Sequence, residues 1–203
     1  MLSHRLRKLT DLLHFTIASE EGPLGTLAGI AFDPDAWSVE HVVAADPAEA
    51  RESLIVPVRF FHAIDDKSRE LRFSTDSGVL LSASGYRTGR VSGSPLFDAA
   101  SLLGRTLHGC DRAVGEVQDM LVNIDSWKLR YLVVQTGGHR VLTDVEWCSS
   151  VDGGRGRVVV DLPAAAILEA PPYPGLEQLS SGHEEALYRH YTRRRYATNS
   201  GIV

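Results

Sequence analysis

Apolar residues in this chain come in short runs, each broken by polar positions at intervals of two or three. Residues 117–124 form one run, interrupted by Gln118, Asp119 and Asn123. Residues 129–134 form the next, with Leu129, Tyr131 and Val133 on one face by the two-residue period of a strand. Asp125-Ser126-Trp127-Lys128 between them reads as a turn, because the Asp125 carboxylate can accept backbone N–H bonds two residues on. Two more short strands are predicted at 140–145 and 157–160, with the turn Gly153-Gly154-Arg155-Gly156 before the second. A short helix starts at Asp161-Leu162-Pro163, since proline suits a first helical turn, and it stops before Pro171-Pro172. Leu2, Leu6, Leu9 and Leu13 recur at helical spacing and predict a short helix packed on the body. Near the other end, Glu184, Leu187, Tyr188 and Tyr191 share one face of a short amphipathic helix, whereas 197–203 reads as frayed.

The pattern occurs twice. At an offset of 90, residues 12–44 lie over 102–134, and Leu12, Leu13, Thr16, Gly25, Asp35, Trp37 and Val43 meet identical residues. At an offset of 87, residues 54–86 lie over 141–173, with Val58, Asp65, Leu81, Ala83 and Tyr86 identical. Twelve identities in 66 positions are modest, but apolar classes match between them. Examples are Ile17/Leu107, Leu27/Val117, Ile30/Met120, Phe32/Val122, Val39/Leu129, Phe60/Trp147, Ile64/Val151 and Leu71/Val158. The change of offset is a three-residue indel, placed in a loop where residues 46–51 outnumber Gln135-Thr136-Gly137-Gly138. First-copy strands are therefore expected at 53–58 and 70–74. Gly25 and Gly115 are expected in the turn before the first long strand of each copy, where positive φ or close backbone approach favours glycine.

The implied fold class is mainly β: two tandem small antiparallel β-barrels with short helices and a C-terminal helical tail. The repeats take 11–86 and 101–175, a linker takes 87–100, and the tail takes 176–203. Short strands with close turns favour small curved barrels, and a single copy is marginal in size.

Charge sharpens this picture. Of the 203 residues, 21 are Lys or Arg and 26 are Asp or Glu, a formal net charge of -5. The sum hides an asymmetry, because residues 11–86 hold 13 acids and 5 bases, while 101–173 hold 9 acids and 7 bases. An acidic first copy repels phosphate backbones and suits a basic protein partner, so nucleic acid is disfavoured. No run of about 18 apolar residues exists to cross a membrane, and no signal-peptide core is present. Cys110 and Cys148 form no CxxC pair and read as buried or half-buried free thiols of a cytoplasmic protein.

The second copy resembles the PRC-barrel family. The resemblance rests on Gly115-Glu116-Val117-Gln118-Asp119-Met120-Leu121-Val122-Asn123-Ile124-Asp125-Ser126-Trp127, then Leu129-Arg130-Tyr131-Leu132-Val133-Val134-Gln135-Thr136-Gly137-Gly138. It closes with Ile167-Leu168-Glu169-Ala170-Pro171-Pro172-Tyr173-Pro174. The family's small barrel occurs in the cytoplasmic part of the photosynthetic reaction centre H subunit and in a small-subunit ribosome-maturation factor. The first copy departs from the pattern, with Asp46-Pro47 in place of Gly-Gly and Ser84-Gly85-Tyr86 in place of Pro-Pro-Tyr. The resemblance implies a tandem barrel that docks onto other proteins, with no shared catalytic constellation.

Candidate chemistry is sparse. There is no G-x-S-x-G elbow, no Walker lysine, and no metal-ligand spacing among the scattered histidines. Asp33, Asp35, Asp65 and Asp66 read as turn carboxylates. No catalytic residue, cofactor or metal is expected. The candidate partner-binding residues are Trp37, Trp127, Tyr188, Tyr191, Arg193, Arg194 and Arg195. The two tryptophans recur at equivalent positions, which favours a shared core or rim role over ligand binding. The tail tyrosines are expected to cover the groove between copies. The favoured function is a non-enzymatic adaptor or scaffold that binds a protein partner or itself. Alternatives are a ribosome-associated or RNA-processing factor using the basic ends, a ligand binder or enzyme using the cleft between copies, and a cytoplasmic-side accessory of a membrane complex. Peripheral membrane contact through the basic N-terminus is a secondary expectation.

Overall fold

The computed structural model describes residues 6–45, 53–74, 81–82, 86–87, 90–91, 96–152 and 157–199. The strands in chain order are β1 (Leu6–Lys8), β2 (Thr16–Ser19), β3 (Gly22–Asp33), β4 (Ser38–Ala45), β5 (Leu54–Pro57), β6 (Phe61–Asp65), β7 (Glu70–Phe73) and β8 (Leu81–Ser82). Two short strands, β9 (Tyr86–Arg87) and β10 (Arg90–Val91), pair with each other, and β11 (Phe97–Asp98) follows. The second series is β12 (Thr106–His108), β13 (Ala113–Asn123), β14 (Lys128–Gln135), β15 (Arg140–Asp144), β16 (Cys148–Asp152) and β17 (Arg157–Val160). Helices are α1 (Leu9–Leu12), α2 (Ala164–Leu168) and α3 (Ser181–Asn199). The chain is mainly β, 51% strand against 22% helical. Among the described residues no helix is long and apolar enough to cross a membrane.

The chain divides into two units, Leu9–Ser101 and Met1–Lys8 with Leu102–Val203. Each is built the same way. A long hairpin, β3–β4 or β13–β14, carries a short strand on one side, β2 or β12. That short strand pairs in parallel with β7 or β17, which pairs in turn with β6 or β16. The mainly antiparallel ladder of each unit thus includes one parallel pairing. The ladders also stay open. β5 gives its second edge to β8, and β15 gives its own to a bridge between Val141 and Pro172. The closing segment of each repeat therefore occupies the edge that closure would need.

Bulges fall at matching places in both units and supply the curvature of so short a sheet. The β3–β4 register shifts between Leu27 and Gly29 and between Ala31 and Phe32; β13–β14 shifts between Val117 and Asp119 and between Leu121 and Val122. Gly25 and Gly115 lie inside these strands rather than in a turn before them. Close approach requires glycine at both positions, and Gly25 also has a positive φ of 141°. A Cβ on Gly25 would sit 2.7 Å from the Ala45 carbonyl oxygen, and one on Gly115 would sit 2.0 Å from that of Gln135.

Six of the apolar pairs matched in sequence, from Ile17/Leu107 to Leu71/Val158, are core in both units at 3% exposure or less. Burying each such side chain contributes about 1.5–3 kcal/mol. Phe60/Trp147 and Ile64/Val151 are half-buried in both.

Several local expectations change. The predicted N-terminal helix is restricted to Leu9–Leu12, because residues 6–8 pair with Leu121–Asn123 as a strand. Asn123 is an acceptor in the hairpin turn: its Oδ1 accepts from Asp125 N (3.0 Å) and Ser126 N (3.1 Å), as Asp33 Oδ1 accepts from Asp35 N (2.9 Å). Strands β6 and β16 appear where the sequence pattern showed none. Cys110 is exposed rather than buried, while Cys148 is half-buried, with its thiol pushed up by burial. The helical tail runs to Asn199 instead of fraying at Ala197. The loop at 46–51, the turn at 153–156 and Ser84-Gly85 lie outside the described residues.

Candidate functional site

One cleft of about 480 Å³ opens in the second unit, walled by β14, the turn at Val145–Trp147 and α3. The β-strand period places its residues. Along β14, Lys128 and Arg130 are exposed, while Leu129 and Tyr131 are buried. Asp144 ends β15, and its Oδ1 accepts from Glu146 N (3.0 Å), which caps the single 3₁₀ turn that carries Trp147 into the cleft.

The third wall is anchored by helical spacing. Leu187 and Tyr191 lie four apart on α3 and are both buried. Tyr191 is fully enclosed, donates from its hydroxyl to the Leu142 carbonyl (2.7 Å), and packs 6.4 Å from the Trp147 ring. His190 Nε2 donates to the Ala166 carbonyl (2.7 Å). These contacts hold Glu184 over β14, where its Oε1 accepts from the Tyr131 hydroxyl (3.0 Å).

Electrostatics inside the cleft are unbalanced. Arg130 lies 3.9 Å from Asp144, 3.5 Å from Glu146 and 5.6 Å from the centre of the Tyr131 ring. Burial nevertheless lifts the Asp144 carboxyl above its ordinary value, with Glu146 and Glu184 adding to the rise and Arg130 opposing it. Burial also pushes the Tyr131 hydroxyl far up, reinforced by Glu184 and Asp144, so it stays a proton-bearing donor at neutral pH. Among the described residues no His or Cys lines the cleft.

The sequence candidates are distributed unevenly around this site. Tyr188 and Tyr191 both line it, but Tyr188 is 66% exposed whereas Tyr191 is fully enclosed. Trp37 and Trp127 lie elsewhere, each 6% exposed, at the hairpin turns; Trp37 stacks on Phe32 with ring centres 5.2 Å apart. Arg193, Arg194 and Arg195 fall on α3 beyond the residues whose side chains are described.

Tyr131, Asp144, Trp147 and Glu184 were missed as site residues. A signal existed in the repeat itself. At the same offsets the first copy carries His41 for Tyr131, Pro57 for Asp144 and Phe60 for Trp147. The pair Arg130 and Glu146 is replaced there by Glu40 and Arg59, with the charges exchanged. His41 is half-buried with Nδ1 unpaired, and burial lowers its pKa. Positions that diverge in class between copies, amid a matched core, mark where the two copies have different surfaces.

None of the curated proteins compared matches the chain. Residues 95–167 match the model of the PRC-barrel domain, which covers the second copy from the strand before it to its closing helix. The match falls on the residues of the second copy whose pattern resembles that family.

Proposed function

We propose that the chain is a non-catalytic adaptor that holds a protein partner on the surface of its second unit, around the cleft between β14 and α3. The observation that carries this reading is Tyr188. It is the one exposed large hydrophobic side chain among the described residues, and it sits on the rim of the cleft. A ring that is apolar on its faces and polar at its tip is the residue type most often buried by a partner. The PRC-barrel domain is an interaction and scaffold fold, and the match covers β14 and the Val145–Trp147 turn, two of the three walls of the cleft. The lining chemistry supports binding without a reaction.

A photo-crosslinking residue placed at position 188 tests this, with Asp35 on the exposed first-unit turn as the control position. The expected result is one adduct of reproducible mass at 188 and none at 35. An adduct of twice the chain mass identifies a second copy as the partner. Equal labelling at both positions, or none at 188, counts against the adaptor reading.

A further inference from the structure

The cleft holds more carboxylate than cation. Glu184 is half-buried, and among the described residues its hydrogen-bonding side-chain partner is the Tyr131 hydroxyl and no ion pair reaches it. Asp144 shares Arg130 with Glu146, and its raised carboxyl means that this single guanidinium does not offset its burial. Glu185, which also lines the cleft, is paired with Arg189. Lys128 is the other cation on the rim and is exposed. Around these groups stand the rings of Tyr131, Trp147 and Tyr188. Ring faces attract a guanidinium or ammonium group, and a partly desolvated carboxylate does so more strongly.

From this geometry we infer that the cleft receives an arginine or lysine side chain from a basic segment of the partner protein, paired to Glu184 and flanked by Tyr131, Trp147 and Tyr188. The inference rests on the adaptor reading and names the partner's anchor. Local charge argues for a cationic group over phosphate, since Asp144, Glu184 and Glu185 line the cleft against Lys128 and Arg130. Such a surface repels phosphate and attracts a basic segment. The first unit offers no equivalent anchor, because Pro57 stands where Asp144 does and no counterpart of α3 exists among its described residues.

The test uses the full chain, titrated with an acetylated and amidated Gly-Arg-Gly-Arg-Gly peptide and with its citrulline counterpart, followed by amide chemical shifts. Citrulline keeps the shape of arginine and removes the charge. Expected are shifts centred on Tyr131, Trp147, Glu184 and Tyr188, with about tenfold weaker binding of the citrulline peptide. Glu184→Gln keeps an acceptor for Tyr131 and should weaken arginine-peptide binding about fivefold; Tyr188→Ala, at an exposed site, should weaken it about threefold. Equal affinity for the two peptides overturns the inference, as does unchanged binding by Glu184→Gln or a shift pattern spread over the first unit. A flat titration alongside an intact adduct at position 188 removes the cationic anchor and leaves the adaptor reading standing.

Discussion

Trp37 and Trp127 adopt φ of 52° and 49°, in the left-handed region that a bulky side chain enters at a cost of about 1–3 kcal/mol. Both rings are 6% exposed, and this burial offsets the backbone strain. Their recurrence therefore has a packing cause at the hairpin turns, which the pattern of positions alone did not separate from a binding role. Gly25 and Gly115 recur for a related reason. Their hairpin partner's carbonyl passes too close for any side chain, and that was half legible, since a need for glycine was clear and its place inside a strand was not. Gly115→Ala should lose about 2–3 kcal/mol of stability, read as a lowered urea midpoint at constant slope. Gly138→Ala, with nothing within 4 Å of the added Cβ, should stay within about 0.5 kcal/mol. Similar midpoints for the two variants would contradict the close approach at Gly115.

At the scale of elements, periodicity located what it had enough residues to describe. The hairpins β3–β4 and β13–β14 were legible because long strands with one buried face show a clear alternation. Strands β6 and β16 were not, because an edge strand of five residues with no fully buried position among its described side chains carries little period. Helix α3 was legible in its anchors and not in its exposed ring. Leu187 and Tyr191 go in, while Tyr188, one position from Leu187, faces outward, as a narrow apolar stripe requires. The Tyr191 hydroxyl bond to Leu142 is enclosed, so Tyr191→Phe leaves a buried carbonyl short of a donor and should cost about 1 kcal/mol. Amide exchange along α3 should accelerate in this variant, with protection in β3 and β4 unchanged. Unaltered exchange in α3 would mean that the helix is held by other contacts.

For the whole molecule, the organising feature is an exchange of strands. The segment just before the first repeat pairs into the second unit, with Arg7 opposite Val122. The segment just before the second repeat pairs into the first, with Phe97 opposite Phe32. Arg7 and Phe97 are 90 residues apart, and so are Phe32 and Val122, so the two pairings are equivalent. Phe97 also packs on Phe32 with ring centres 6.4 Å apart. Each half of the chain thereby supplies a strand to the other half's unit. Cutting the backbone at a protease site engineered between Arg87 and Arg90 should leave the halves together as one species in native size-exclusion chromatography, separable only in denaturant. Two folded fragments that part under native conditions would show that the exchanged strands contribute little to holding the chain together.

The sequence by itself determined the duplication, the core of each copy, the long hairpins and the class of the second copy. All of these depend on side-chain periodicity and on identities at fixed offsets, which a linear comparison can detect. Tertiary structure alone decided which edges pair, that residues 6–8 are strand rather than helix, and that the ladders stay open. A three-residue strand has no period of its own, and its conformation is set by the partner that takes its hydrogen bonds. The cleft belongs to the same category. Tyr131, Asp144, Trp147 and Glu184 are separated by up to 53 positions, and only the docking of α3 on the second unit brings them together.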